Sequence, residues 1–234
     1  MLQRLLKSMG QDRQPEPLSP TIGEVLKRSL TYLDTQALND LFTECRRLED
    51  DAVEGAFVEA GCALGGSAIV IASAKAPARD LKIYDVFGTI PAPSELDGAD
   101  VHDRYRSIVR GQAEGIGGHR YYGYEDNLLD KVRGHFRSCG IDPEANNVDF
   151  IRGLFQDTMH FSGPVAFAHI DGDWYDSVTV SLERIAPNLQ RGGLLVIDDY
   201  HHWSGCRRAV DDFFSLHSNG YRFETRARLH VRKL

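Results

Sequence analysis

Five short apolar runs, each closing on an acidic residue or a glycine, constrain this chain more than any other feature. They read AFVEAG, LKIYDVF, NVDFIRG, AFAHIDGD and GLLVIDDY, and each has the length and composition of a strand. Between them lie SAIVIASAKA, NLLDKVRGHFRSCG and DSVTVSLERIAPNL, which suit helices; the last two reach Gly140 and Pro187 near their ends. Strands that alternate with helices build an open, mostly parallel sheet with helices on both faces. Such sheets bind ligands beyond the carboxyl ends of their strands, so the residues just after each run are the informative ones.

Upstream, Ile22, Val25, Leu26, Leu30 and Leu33, then Leu38, Leu41, Phe42, Cys45 and Leu48, recur at spacings of three and four. That period predicts a helical cap over residues 21–50, placed to cover a ligand cleft. Residues 1–20, rich in Pro and Gln, read as a flexible arm, and residues 21–234 as one domain. A polar, Gly-rich insertion over residues 91–124 is long enough to be an acceptor lid.

The rest of the chain narrows the class. With 42% hydrophobic and 26% charged residues and no long apolar stretch, neither a membrane span nor a secretory leader is expected, and the expected location is the cytoplasm. A net charge of -7 argues against a nucleic-acid partner. Cys45, Cys62, Cys139 and Cys206 are scattered without a CxxC pair, as expected of reduced thiols.

After the first run comes Glu59-Ala-Gly-Cys-Ala-Leu-Gly-Gly-Ser67. Gly61, Gly65 and Gly66 permit a tight turn close to a ligand, and Ser67 is positioned to cap the following helix. An acidic residue at the mouth of this turn disfavours a pyrophosphate and suits a cationic or amine-bearing ligand such as S-adenosylmethionine. Asp85 closes the second run 26 residues after Glu59, where an acid accepts hydrogen bonds from ribose hydroxyls.

The strongest signal is acidic. Asp171 closes one strand, and Asp198 and Asp199 close the next, 27 residues later, about one βαβ unit apart. Carboxylates gathered at one sheet edge repel each other unless a cation sits among them, and hard oxygen ligands favour Mg²⁺, Mn²⁺ or Ca²⁺ over zinc. The plainer alternative is that Asp198 and Asp199 cap a helix or pair with Arg207 and Arg208. Asp173, two residues beyond Asp171, is placed to take a proton. His169 is expected to pack beneath the site, and His201 or His202 to reach the acceptor or to lie in a solvated loop. Trp174, Tyr175, Tyr200 and Trp203 read as an aromatic wall, with core packing an equal reading of Trp174.

The motifs IDGDWYDS, IDDYHHWSGCRRAVDDFF, RGLFQDTM, VEAGCALGGS and YDVFGTIP resemble the macrocin O-methyltransferase family over roughly residues 32–214. The resemblance implies a class I methyltransferase fold, Rossmann-like, and a natural-product enzyme that methylates a sugar hydroxyl using S-adenosylmethionine and Mg²⁺. It implies Asp171, Asp198 and Asp199 as metal ligands and Asp173 as general base. Glu59, Gly61, Ser67 and Asp85 are implied at the cofactor, with Gly65 in the same turn, and Gln156 and Asp157 beside the adenine. It further implies a glycosylated small-molecule acceptor and a homo-oligomer. The chain departs from the family in a shortened Asp-rich region after Pro93. A catechol-type O-methyltransferase and a non-catalytic binding protein of the same fold are the alternatives.

Overall fold

Each of the five apolar runs forms a strand, because alternate residues along it find an apolar layer on either side. In the computed structural model, which describes residues 18–234, these are β1 (Ala56–Ala60), β2 (Leu81–Asp85), β3 (Val148–Arg152), β4 (Val165–Ile170) and β5 (Leu189–Ile197). On β5, Leu194 and Val196 enter one core while Leu195 and Ile197 enter the other. The period of two thereby makes each strand apolar on both faces, as a covered parallel sheet requires. Phe57 and Phe167, on neighbouring strands, meet at 5.4 Å within the first core.

The first core is covered by α1 (Pro20–Lys27), α2 (Thr35–Asp50), α3 (Gly66–Ala74) and α5 (Leu128–Ser138). The second is covered by α7 (Tyr175–Ile185) and α8 (Ser204–His217). Two further α-helices are α4 (Ala99–Val109) and the single turn α6 (Phe155–Thr158). The expected arm lies outside the described residues up to position 17, and Pro20 already opens α1, where its missing N–H costs nothing. The cap is two helices. Asp34 caps the second by accepting a 2.8 Å hydrogen bond from the Ala37 N–H. Among the described residues no helix is long and apolar enough to cross a membrane.

The sheet has seven strands in the order β3-β2-β1-β4-β5-β7-β6. The first five are parallel; β7 (Leu229–Lys233) runs antiparallel to β5, and β6 (Tyr221–Thr225) antiparallel to β7. This terminal hairpin and α8 are absent from the sequence reading. Tyr221–Thr225 and Leu229–Lys233 carry charged residues at several positions and lack the apolar density by which the other strands announce themselves. Leu229 and Val231 join the second core, and polar bonds add to the hold. Glu44 of α2 is buried, and its carboxylate accepts hydrogen bonds from Arg232 at 2.5 Å and Arg226 at 2.7 Å. Chain order reverses between β1 and β4, and a crevice opens there at the carboxyl ends.

Candidate active site

The crevice is a cavity of about 780 Å³, and residues from the ends of β1, β2, β4 and β5 line it. Its floor is set by a close approach. The Asp171 N–H donates to the Ala60 carbonyl at 2.8 Å and the Asp198 N–H to the Ile170 carbonyl at 3.0 Å, which continues the sheet ladder into the site. Gly61 has φ +97°, and a Cβ there would collide with the Asp171 backbone, so only glycine lets these strand ends meet.

The glycine turn departs in part from expectation. Gly61 and Ser67 line the cavity, whereas Gly65, at φ +90°, is backed by Val132 of α5. Ser67 does not cap α3: its hydroxyl donates to Glu59, and the first N–H of the helix, at Gly66, goes to the Leu30 carbonyl at 3.0 Å. Gly66 also leaves room for the irregular segment 30–33, which lines the cavity. Glu59 is fully buried beneath the floor, outside the lining, between Ser67 and His169 Nδ1 at 3.2 Å. Asp85 does face the cavity. Its two oxygens accept from the Cys62 N–H at 2.7 Å and the Phe87 N–H at 2.6 Å, and burial raises its carboxyl above the ordinary range. Gln156 lines the cavity, but the exposed Asp157 does not.

The acidic corner forms, with a changed membership. Oxygens of Asp171, Asp173 and Asp199 lie within 4.8 Å of one another. Burial, followed by the charges of the neighbouring aspartates, pushes Asp171 and Asp199 well above the usual carboxylate range. Asp173 is raised to about 6, by burial first and then by the charge of Asp198. Asp173 also holds φ +56°, a conformation costly to a residue with a side chain and concentrated at functional sites. Asp198, grouped with the ligands in the sequence reading, is drawn aside: its Oδ1 accepts from Arg228 Nε at 2.6 Å and lies 3.5 Å from His169 Nε2. Burial would raise the Asp198 carboxyl, but the His169 and Arg228 contacts hold it below the ordinary value. Neither Arg207 nor Arg208 pairs with these aspartates: they donate to the Tyr200 and Leu96 carbonyls.

His169 packs beneath the site, fully buried, while His201 and His202 are exposed and line the cavity. The aromatic wall is half as large as expected. Trp174 and Trp203 line the cavity with ring centroids 5.7 Å apart, but the hydroxyls of Tyr175 and Tyr200 bond Asp212 and Asp211 on the outer side of α8. Tyr32, Tyr121 and Tyr122 also line the cavity, with Arg104 above the Tyr121 ring at 5.4 Å. No periodicity singles the three tyrosines out, since they lie between the main helices and strands.

A parallel five-stranded core extended by a reversed β7, with a glycine turn after β1 and an acid closing β2, is the class I methyltransferase fold. Within that class the chain belongs to the macrocin O-methyltransferase family, whose model matches residues 25–219. It is 34% identical over 169 residues to an 8-demethyl-8-(2,3-dimethoxy-alpha-L-rhamnosyl)-tetracenomycin-C 4'-O-methyltransferase of Streptomyces olivaceus, across 70% of this chain and 59% of that protein. It is 33% identical over 87 residues to a demethyldecarbamoylnovobiocin O-methyltransferase of Streptomyces niveus, across 36% of this chain and 32% of that protein. The match thus spans less than two thirds of either relative. In fold it is similar to the O-methyltransferase NovP, with a TM-score of 0.71 at 23% identity over 87% of this chain and 82% of that one. The calicheamicin methyltransferase CalS11 superposes with a TM-score of 0.66 at 18% identity over 98% and 90%.

Proposed function

We propose that this protein transfers a methyl group from S-adenosylmethionine to a hydroxyl of a sugar carried by a small glycosylated acceptor, with a divalent cation, Mg²⁺ by preference, at the acidic corner. The convergence of Asp171, Asp173 and Asp199 carries the reading. Their donor set is hard oxygen, and the buried Oδ2 of Asp199 has no hydrogen-bond partner among the described residues, so a cation would relieve both repulsion and an orphaned acceptor. The relative named for a rhamnosyl-tetracenomycin supports the sugar-bearing acceptor.

In this reading Asp171, Asp198 and Asp199 would hold the cation, Asp198 being paired with Arg228 in this structure. Bound S-adenosylmethionine supplies an electrophilic methyl on sulfonium, and a bound cation lowers the proton affinity of a hydroxyl beside it. The protein's own part is alignment and proton removal. Gly61 and Asp85 hold the cofactor side, with Gln156 at its far end. The Trp174 and Trp203 rings face the acceptor, and Asp173, which lines the same cavity, receives the hydroxyl proton.

Addition of Mg²⁺ with S-adenosylhomocysteine should raise the melting temperature more than either alone, and EDTA should abolish turnover on a glycosylated acceptor. Full turnover in EDTA would sink the cation; turnover on a catechol but on no glycoside would sink the sugar.

A further inference from the structure

Both helices that follow the acidic corner begin at a tryptophan. Trp174 precedes α7 and Trp203 precedes α8, and neither position carries a side-chain cap of its own. An indole only donates, so it has nothing to offer the free N–H groups of a helix start. The caps come from elsewhere, and from one place. Asp97 Oδ1 accepts the Tyr175 N–H of α7 at 2.8 Å, while Asp100 Oδ2 accepts the Ser204 N–H of α8 at 2.9 Å and its Oδ1 the Ser204 hydroxyl at 2.5 Å.

The fit is close on both sides. A Cβ on Gly205 would strike Asp97 Oδ1, and a Cβ on Gly98 would strike the Ser204 hydroxyl. Asp97 is itself buried, and its other oxygen accepts the Ser94 N–H at 2.9 Å, which folds the segment back on itself. Two further bonds fasten the segment at its start and middle: the Trp174 indole donates to the Pro91 carbonyl at 3.0 Å, and Arg208 donates to the Leu96 carbonyl at 3.1 Å. Residues 91–100, the start of the expected lid, are therefore a docked strap rather than a free flap.

We propose that Asp97 and Asp100 are positioning residues that, from one strap, fix the two loops bearing Asp171, Asp173, Asp198 and Asp199 relative to each other and to the acceptor. The inference rests on the proposed methyl transfer at that corner. Neither residue touches the corner. Each holds the first turn of the helix that follows an aspartate pair, so losing one lets the corresponding loop rotate and the carboxylates drift apart. A shared strap also makes the effect reciprocal: cutting one cap should loosen the helix held by the other.

The test compares Asp97→Ala, Asp100→Ala and Asp100→Asn with the unaltered full chain. Asparagine keeps an oxygen for the Ser204 N–H and an amide to donate to the Ser204 hydroxyl, so Asp100→Asn should rescue what Asp100→Ala loses. Calorimetry should show Mg²⁺ binding weakened by about tenfold in both alanine variants, the scale for partners that orient metal ligands, with S-adenosylhomocysteine affinity unchanged. Turnover should fall through kcat rather than through the acceptor KM. Hydrogen exchange should quicken at the first turn of α8 in Asp97→Ala, although that residue caps α7. A lower melting temperature with unchanged Mg²⁺ affinity and kcat would overturn the proposal, as would exchange that quickens only at the helix directly uncapped. If the unaltered chain proves not to bind Mg²⁺, the function reading fails, while the exchange experiment still decides whether the strap couples the two helices.

Discussion

Asp173→Asn is expected to cut turnover by roughly 10²–10⁴-fold, the range for removing a general base, while S-adenosylhomocysteine still binds. The change is nearly isosteric, and asparagine tolerates the left-handed backbone as well as aspartate does, so the loop that sets φ +56° at this residue should survive. Calorimetry with Mg²⁺ makes the result decisive. Asp173 as base leaves Mg²⁺ affinity within a few-fold, and Asp198→Asn then weakens it strongly. The opposite outcome is also physically coherent, because Asp173 lies within 4.8 Å of the Asp171 and Asp199 oxygens whereas Asp198 sits on Arg228. If Asp173→Asn abolishes Mg²⁺ binding and Asp198→Asn spares it, Asp173 is a ligand, and the proton must leave by another route, such as His201 or His202.

Glu44→Ala carries the largest expected cost in stability. Removing one member of a buried ion pair strands the other, at about 3–5 kcal/mol. Glu44 and Arg232 are 3% and 8% exposed at the side chain, and Arg226 shares the carboxylate. For a chain of this size the loss corresponds to a fall in melting temperature of about 6–20 °C, measurable by calorimetry. Burial would raise the Glu44 carboxyl, but the hydrogen bond and charges of Arg232, with Arg226, hold it below the ordinary value of 4.5. A lowered folded-state pKa means that the stabilisation is complete above the unfolded value and is lost as pH falls through the folded one. The gap between wild type and Glu44→Ala should therefore be full at neutral pH and begin to narrow only below about pH 4.5. A gap that is constant down to pH 3 would show that the pair does not contribute as a charge.

The same contact illustrates why the terminal hairpin escaped a reading of the sequence. β7 is held to the cap by Glu44 and Arg232, 188 positions apart, and nothing local marks either residue as a partner. Its register on β5 pairs Leu195 with Val231 and Ile197 with Leu229, so its burial depends on a strand already in place. The five central strands needed no such help, because a run apolar on both faces is suited to a covered parallel sheet whichever neighbour it meets. The aromatic wall divides in the same way. Its residues were legible as aromatics near the site, but which of them face inward depends on where α7 and α8 start. Those starts are set by the strap: Trp174 and Trp203 precede the first turns and line the cavity, whereas Tyr175 and Tyr200 reach Asp212 and Asp211.

Period and strand-end chemistry are local properties, so the sequence by itself determined the central sheet, the glycine turn after β1 and the gathering of Asp171, Asp173, Asp198 and Asp199 at one edge. Membership within that gathering was decided only by the tertiary structure. Two adjacent aspartates at the end of one strand are equivalent on paper, but their side chains leave the backbone in different directions: Asp199 meets Asp171 and Asp173, while Asp198 meets Arg228 and His169. The partner that separates them arrives from a hairpin 30 positions further along the chain, and only folding brings it there.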